Sequence, residues 1–544
     1  MRGKRNNKMY SENESAASSF QSTDSFGIFG GVCSDLSDGE DEKHTHEHTD
    51  RSPDSHKSFR ILEREKTPLL QSQAMPIVYK AINNNSDTPI PDHIFGSDIL
   101  TTLKRTSEKS KTDASKQSSL VTIFSVWNTI MGSSLLSIAW GIERAGLPVA
   151  LLLLVSMAAL CLYTAYLLIQ VNARHGGIGS EVPALCGLML GRNTAAVAQA
   201  CSLLVLAGAC ACYWLLLANS LYYTVTGLVD ITASNTTYNS TVLCPSEARA
   251  VPILEAPPAE AVYWGLHSTV PLYVAVIIYP LLNFTNVSFF TRFNSLGTLS
   301  ALYLVAFVLT KGAMWGINLR ALPPLHLAAD AAALSGMLAM SFYIHNIIVT
   351  IMSNNARQEK NGRDLSIAFL LVTVTYTAVG AVFYVCFPLP KACIEDNMLN
   401  NFETHDTLTA VARAVLLFQV VTVFPLVAFM LRCEALSLLP WAVVGGAGAE
   451  AGAGAGRQRR GVVPAVNAAI VVMCVLVACF CPSIGTIIRY TGAASGLVHV
   501  FALPSLLHMR SLHLRGKLTP PIALVHTAII VFGTVNLLMQ FFVQ

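Results

Sequence analysis

Long apolar runs separated by short polar segments fill the chain from residue 119 onward, whereas residues 1–118 are polar almost throughout. About 20 apolar residues in an α-helix suffice to cross the hydrocarbon core of a bilayer. The pattern therefore predicts an all-α membrane protein with eleven transmembrane helices. The predicted spans lie near residues 120–142, 147–170, 194–224, 270–286, 295–315, 330–353, 364–388, 408–431, 462–480, 484–509 and 520–542.

The first predicted span is interrupted at its centre by Asn128-Thr129 and by Gly132-Ser133-Ser134. Glycine is conformationally permissive, and serine and threonine offer the backbone hydrogen bonds that compete with those of a helix. Peptide groups without partners are very costly against lipid, so a helix breaks here only where the freed groups line a protein cavity. Broken helices of this kind form substrate and sodium sites in secondary transporters. The alternative interpretation is an ordinary span with a flexible kink.

Composition divides the chain into a polar tail and a membrane domain. Hydrophobic residues make up 53% and charged residues 13% of the chain, against roughly a quarter charged residues in soluble domains. Residues 1–118 have too few apolar residues to form a core, so we expect a disordered cytosolic tail. Residues 119–544 then form one polytopic domain. The sequence has no Walker A glycine loop, HExxH motif or paired CxxC motif, so it does not predict an enzyme.

The charges of the loops predict the orientation of the chain. With a cytosolic N-terminus, the loops on the cytosolic side hold 13 lysine and arginine residues and the opposite loops hold five. Positive charge is enriched on the cytosolic side of membrane proteins, and an odd number of spans then places Gln544 on the far side. The five opposite residues are Arg144, Arg249, Lys311, Arg320 and Lys391.

The far-side loops carry signals for glycosylation and for a disulfide. Asn235 and Asn239 each begin an Asn-X-Ser/Thr triplet, and we expect both to be glycosylated. Cys244 and Cys393 also fall in far-side loops, where an oxidising compartment permits them to pair. Such a bond would tie the loop after the third span to the loop after the seventh.

Two segments of the tail differ from their polar surroundings. Glu65 precedes Leu69-Leu70 by four residues, the pattern that adaptor proteins read when they sort membrane proteins to endosomes and lysosomes. Residues 74–100 form an apolar and aromatic strip, which predicts a segment that folds when it contacts a partner. The alternative is that these apolar residues have no role.

Several segments of the membrane domain carry a family resemblance. Trp127–Gly146, around the first break, resembles the first span of the amino acid/auxin permease superfamily. It is most similar to the sodium-coupled neutral amino acid transporters, solute carrier family 38. The similarity continues at Phe289–Thr298, Phe342–Asn346, Leu417–Pro425, Pro482–Gly485 and Arg489–Ala494.

The tail resembles the lysosomal, arginine-sensing branch of that family at Val78–Ile82 and Pro89–Ile94. The resemblance implies a lysosomal membrane protein that binds the Rag GTPases and the Ragulator scaffold and signals luminal amino acids to the mTOR complex pathway. The residues that it assigns to partner binding are Tyr79, Ile82, Pro91, Asp92 and His93.

The resemblance also implies a leucine-transporter-like fold, in which spans 1–5 and 6–10 are inverted repeats and the eleventh helix is extra. The substrate, arginine among other amino acids, would place its carboxylate on backbone N–H groups of the first break. A sodium ion would lie between first-span carbonyls and the Thr422 hydroxyl, with Asn128 contributing. The implied substrate residues are Thr129, Ile130, Met131, Gly132, Ser133 and Ser134.

Two other functions fit the same residues. A nutrient sensor with little transport needs only that amino acid binding favours one conformation over another. A proton-coupled permease without sodium needs a group that changes protonation, for which His345 is the best candidate and Glu143 the next. The sodium dependence of uptake at fixed pH separates these functions.

Overall fold

The computed structural model of the protein describes residues 117–176, 181–233, 242–245, 263–283, 296–318, 331–438 and 453–542. Several predicted features therefore lie outside the described residues. These are nearly all of the tail, the sorting residues Glu65, Leu69 and Leu70, the partner-binding residues Tyr79, Ile82, Pro91, Asp92 and His93, and the glycosylation sites Asn235 and Asn239.

The described residues are almost entirely helical, and their β-structure consists of two isolated bridges, Gln117 with Asn355 and Val242 with Phe402. A π-helical segment, Gly496–Ala502, follows the helix Ile484–Ser495. The α-helices are α1 Ser119–Ile130, α2 Ser134–Ala145, α3 Leu147–His175, α4 Val182–Met189, α5 Arg192–Ala233, α6 Val270–Leu282, α7 Leu296–Trp315, α8 Ala331–Ser341, α9 Ile348–Ser353, α10 Asn361–Cys386, α11 Thr407–Leu438, α12 Ala453–Phe480, α13 Ile484–Ser495, α14 Leu503–Leu514 and α15 Pro520–Met539.

The predicted class, an all-α multi-pass membrane protein, is confirmed. Within the described residues, eight helical segments are long and apolar enough to cross a membrane, and α1 with α2 makes a ninth if the bent pair is one span. The fourth and sixth predicted spans correspond to shorter apolar helices, α6 and α8. The count of eleven spans depends on these two helices and stays a prediction.

Tight connections and interruptions follow from small residues. Gly146 joins α2 to α3 with a φ of +75°, a conformation that favours glycine, and Pro148 lies in the first turn of α3, where its missing N–H costs little. The first predicted span breaks between α1 and α2, and the sixth breaks at residues 342–347 between α8 and α9. Inverted repeats of five spans place such breaks at equivalent positions.

Glycine also sets the distance between α8 and α13. A Cβ atom at Gly492 would lie 2.3 Å from the Gly336 carbonyl oxygen, and one at Gly336 would lie 2.9 Å from the Arg489 carbonyl oxygen. Both contacts are with backbone, which cannot move aside as a flexible side chain can. Small residues therefore allow the sixth and tenth spans to approach closely, as is common between membrane helices.

Cys244 and Cys393 form a disulfide with a Cα–Cα distance of 4.9 Å, and we call the side of the protein that carries it the disulfide face. Lys311 and Asp406 form a buried ion pair near this face. Lys391 follows α10 and donates hydrogen bonds to the Phe387 and Val385 carbonyl oxygens at 2.9 and 3.3 Å. Burial lowers the pKa of Lys391.

The prediction that Lys311 lies in a loop is wrong, because it lies inside α7. Its side chain is 2% exposed, and the ion pair with Asp406 at the start of α11 offsets the cost of burying its charge.

Candidate functional site

The centre of the site is the break between α1 and α2, where the helix axes diverge by 60°. The Met131 N–H still donates to the Trp127 carbonyl oxygen at 2.9 Å, but the Gly132 N–H turns back to the Ile130 carbonyl oxygen at 2.8 Å. The helical ladder therefore stops at Ile130. The first N–H groups of a new helix have no carbonyl partner within that helix. The Leu135 and Leu136 N–H groups donate to the Gly132 and Ser133 carbonyl oxygens at 3.2 and 3.1 Å. The N-terminus of α2 still directs its positive dipole end at the break, which suits an anionic group.

Aromatic side chains hold the break in place. The buried Tyr376 hydroxyl of α10 lies 3.0 Å from the Ile130 carbonyl oxygen and 3.1 Å from the Ser341 carbonyl oxygen. One phenol therefore links the interrupted ends of the first and sixth spans. One turn before the break, the Trp127 indole N–H donates to the Thr375 hydroxyl at 3.3 Å. The Tyr376 hydroxyl therefore adds a partner for carbonyls at the ends of two interrupted helices, beside the Gly132 N–H that the Ile130 carbonyl oxygen already accepts.

A cavity of about 200 Å³ lies against the break. All six predicted substrate residues, from Thr129 to Ser134, line it, and so does Asn128. None of the described residues that line it is charged, so the charges of an amino acid ligand would be met by backbone groups, hydroxyls and helix ends. Side chains on the other walls include Tyr213, Met340, Tyr343, Asn346 and Gln419.

The residues predicted to hold sodium, Asn128 and Thr422, both lie near Gln419, and of the two only Asn128 lines the cavity. The Asn128 side-chain oxygen accepts from the Thr298 hydroxyl at 3.2 Å, and a Cβ atom at Gly297 would lie within 3.5 Å of both the Asn128 and Gln419 amides. One turn along α11, the buried Thr422 hydroxyl donates to the Gln419 carbonyl oxygen at 2.7 Å. Amide, hydroxyl and carbonyl oxygens are the ligands that hard cations prefer. The oxygen atoms present here are therefore chemically suitable ligands for a sodium ion.

The cavity extends away from the disulfide face. Its lining includes Gln117, before α1, and Met430, in the second half of α11. A smaller space of about 90 Å³ shares Met430 and Asn346 with it and adds two carboxylates, Glu181 and Glu434. Burial raises the pKa of Glu181. The cavity and the adjoining space therefore extend toward the face opposite the disulfide.

A packed layer of side chains, which we call the gate, separates the cavity from the disulfide face. Trp140 of α2 packs against the first turn of α13, where a Cβ atom at Gly485 would lie 2.6 Å from the indole ring. The Asp396 carboxylate accepts from the Ser483 hydroxyl at 2.8 Å and from the Gly485 N–H at 3.1 Å. Asp396 thus binds the N-terminus of α13 and fastens the loop after α10 to it.

The candidates for proton coupling lie outside the lining of the cavity. His345 is fully buried in the break of the sixth span, and its Nε2 lies 2.9 Å from the Thr164 hydroxyl oxygen. Glu143, near the end of α2, lies 3.8 Å from the Arg144 side chain. Neither side chain lines the cavity at the first break.

Three residues of the site were not found by sequence reasoning. Tyr376 and Tyr213 are aromatic residues within apolar helices, which is the usual pattern of core packing, and Asp396 lies in a loop. A tyrosine among three threonines, at Thr373, Thr375 and Thr377, was the one available signal for a polar contact at Tyr376.

Comparisons with known proteins agree with this architecture. Residues 115–543 match the family described as transmembrane amino acid transporter protein. The chain is 37% identical over 491 residues to a Caenorhabditis elegans protein named sodium-coupled neutral amino acid transporter 9 homolog, covering 83% of this chain and 77% of the relative. It is 36% identical over 513 residues to neutral amino acid transporter 9 of Xenopus tropicalis, covering 85% and 88%. Human solute carrier family 38 member 8 is 24% identical over 333 residues, covering 59% and 69%.

The family match covers nearly the whole described part of the chain, and two of these relatives exceed one third identity over most of both chains. The family consists of transporters rather than enzymes, and its substrates are amino acids. The resemblance noted from the broken first span is therefore confirmed. This chain belongs to the transmembrane amino acid transporter family and, within it, to the amino acid transporters of solute carrier family 38.

Proposed function

We propose that the protein is a lysosomal, sodium-coupled amino acid transporter that also senses arginine. The observation that carries the transport site is the broken first span, where the N-terminus of α2 and the surrounding hydroxyls line a cavity at mid-helix. Thr129 to Ser134 bind the substrate, with its carboxylate on the N-terminal donors of α2. The gate at Trp140 and the opening on the opposite face give the cavity access to one side at a time.

Sodium is the proposed coupling ion, with Asn128 and Thr422 among its ligands. The oxygen-rich surroundings of Gln419 support this proposal, and the C. elegans relative is named sodium-coupled. The test is uptake of labelled amino acid into proteoliposomes at fixed pH, with sodium replaced by choline. Uptake that persists without sodium but requires a pH gradient would favour the proton-coupled alternative and His345.

Arginine is the proposed principal ligand, although the relatives are named for neutral amino acids. Competition of arginine, lysine, glutamine and leucine against labelled arginine on purified protein ranks these substrates directly. Saturable arginine binding without uptake would favour the sensor that transports little.

The proposed orientation places the N-terminus in the cytosol and the disulfide face in the lysosomal lumen. Asn235 and Asn239 then carry glycans, and their replacement by Gln should remove the mobility shift caused by an endoglycosidase. Glu65 with Leu69-Leu70 directs sorting, so Leu69→Ala with Leu70→Ala should move the protein to the plasma membrane in microscopy. An unchanged lysosomal pattern would contradict the sorting role.

The tail is proposed to bind the Rag GTPases and Ragulator through Tyr79, Ile82, Pro91, Asp92 and His93. Aromatic and aliphatic anchors dominate such contacts, so Tyr79→Ala with Ile82→Ala should abolish co-purification of these partners. Arginine uptake should survive, because the tail lies outside the membrane domain. Loss of both properties would indicate a folding defect instead of a lost contact.

A further inference from the structure

A buried histidine lies in the middle of the break in the sixth span. Helix α8 ends at Ser341 and α9 begins at Ile348. Between them, Tyr343 and Asn346 line the cavity at the first break. His345 lies between these two wall residues in sequence, is fully buried, and does not itself line the cavity. A residue in this position can shape the cavity wall without touching the substrate.

The His345 ring is bonded to the second span. Its Nε2 lies 2.9 Å from the hydroxyl oxygen of Thr164, which is fully buried in α3. The same hydroxyl lies 3.0 Å from the Leu160 carbonyl oxygen and 3.2 Å from that of Cys161. Carbonyl oxygens only accept hydrogen bonds, so the single hydroxyl proton goes to one of them. The Thr164 oxygen must then accept from His345, which places a proton on Nε2 and leaves a lone pair on Nδ1.

The surroundings of His345 favour a neutral ring. Nδ1 has no hydrogen-bond partner among the described residues, so a proton added there would have no acceptor. The titratable side chains packed around the ring, within the described part of the chain, are those of Cys161 on α3, Tyr343 in the break and His499 in the π-helical segment. None of these carries a negative charge at neutral pH, and the ion pairs between described residues include none with His345. A buried imidazolium here would have no counter-charge, which is very costly.

The bond to Thr164 lies where the backbone of the sixth span gives little support. The Tyr343 N–H donates to the Met340 carbonyl oxygen at 3.0 Å, and the Ile347 N–H donates to the Ile344 carbonyl oxygen at 3.1 Å. Each of these bonds spans three residues, whereas those of an α-helix span four. The regular ladder is therefore interrupted on both sides of His345. A side chain that bonds to a neighbouring helix replaces part of the support that the ladder would give.

We infer that His345 is a positioning residue for substrate binding and does not carry a proton during transport. The neutral ring donates from Nε2 to Thr164, and this bond holds the wall residues Tyr343 and Asn346 in place. The inference rests on the proposed amino acid site at the first break, because it assigns a role in shaping that site. It also separates two roles, since a histidine in a broken span fits both a proton carrier and a neutral anchor when only the sequence is considered.

The test uses substitutions of His345 that keep or remove the donor at Nε2. Glutamine retains an amide N–H donor but does not titrate, whereas leucine has no polar atom. His345→Gln should take up labelled arginine into proteoliposomes at nearly the rate of the unmodified protein, with the same dependence on pH. His345→Leu should weaken equilibrium binding of labelled arginine about tenfold, the effect of losing one buried hydrogen bond.

Thr164→Val tests the same bond from its other end, because it removes the hydroxyl that accepts it. Arginine binding should weaken by a similar factor, and the double variant with His345→Leu should bind no more weakly than His345→Leu alone. Thr373→Val is the matched control. The Thr373 hydroxyl also donates to a carbonyl oxygen of its own helix, that of Phe369 at 2.7 Å, but it lies on α10 and outside the lining of the cavity. The control should bind arginine normally.

A proton carrier would give a different pattern. Loss of uptake in His345→Gln, or a changed pH dependence, would overturn the inference. Full arginine affinity in Thr164→Val would overturn it too, as would an equal loss in Thr373→Val. If His345→Leu does not fold, His345→Gln and Thr164→Val decide. Failure of the proposed function appears instead in the unmodified protein, as absent uptake or as arginine binding that Thr129→Trp does not reduce.

Discussion

Replacing Tyr376 with Phe should weaken substrate binding while the protein remains folded. The phenol bridges the Ile130 and Ser341 carbonyl oxygens at 3.0 and 3.1 Å. It therefore fixes the break in the first span relative to the break in the sixth span. Phenylalanine keeps the ring and the packing but removes the only atom that makes this bridge.

The size of the effect follows from the hydrogen bonds lost. A hydrogen bond contributes about 0.5–1.5 kcal/mol net, and a buried carbonyl left without any partner costs about 1–3 kcal/mol. The Ile130 carbonyl oxygen keeps the Gly132 N–H at 2.8 Å, so this larger cost does not apply there. Partial relaxation around the cavity reduces the sum to about 1–2 kcal/mol, a factor of roughly 5–30 in an equilibrium. If this free energy destabilises the conformation of the break that binds substrate, the apparent affinity falls by the same factor.

The assay is equilibrium binding of labelled arginine to detergent-purified variants that elute normally in size-exclusion chromatography. Tyr384→Phe is the matched control, because Tyr384 is equally buried on α10 but its ring faces Lys391. The reasoning is refuted if Tyr376→Phe binds arginine as the unmodified protein does, or if Tyr384→Phe loses as much affinity.

Three further predictions test the substrate cavity, the sodium site and the packing of the helices. Thr129→Trp should abolish uptake, because an indole fills much of the 200 Å³ cavity. Normal uptake by the folded variant would show that the substrate binds elsewhere. Thr422→Val keeps the side-chain shape but removes an oxygen, so the sodium concentration for half-maximal uptake should rise several-fold; an unchanged sodium dependence contradicts the ligand role. Gly492→Ala should lower the free energy of unfolding by about 1–3 kcal/mol and reduce the melting temperature, because the new Cβ would lie 2.3 Å from a backbone oxygen. Gly187→Ala is the control and should leave the melting temperature unchanged, because its Cβ would lie 3.5 Å from the nearest atom.

The location of the break was predictable because its cause is local. Glycine, serine and threonine within an apolar run weaken the helix wherever the run is placed, and the structure interrupts the helix between Ile130 and Ser134. The break in the sixth span was harder to place, because residues 342–347 include apolar and aromatic side chains that also suit a continuous helix. The direction in which α2 leaves α1 depends on packing against remote segments.

The hydrogen-bond partners of Tyr376 and Asp396 were not predictable either, because they also lie on segments that are remote in sequence. Tyr376 lies 246 residues from Ile130 along the chain, and Asp396 lies 87 residues from Ser483. Nothing in the local sequence of either residue indicates its partner. The charge of Lys311 suggested a loop, yet its pairing with Asp406 makes a buried position tolerable.

The Cys244–Cys393 bond closes a covalent ring of chain between two cysteines that are 149 positions apart in sequence. Such a ring restricts the unfolded chain, a stabilisation of roughly 5 kcal/mol in the chain-entropy estimate. It also changes what a single cut by a protease does. A nick anywhere between the two cysteines leaves both fragments joined, so a nicked molecule migrates as one species until it is reduced. Reduction, and not cleavage, would then be the step that releases the two halves.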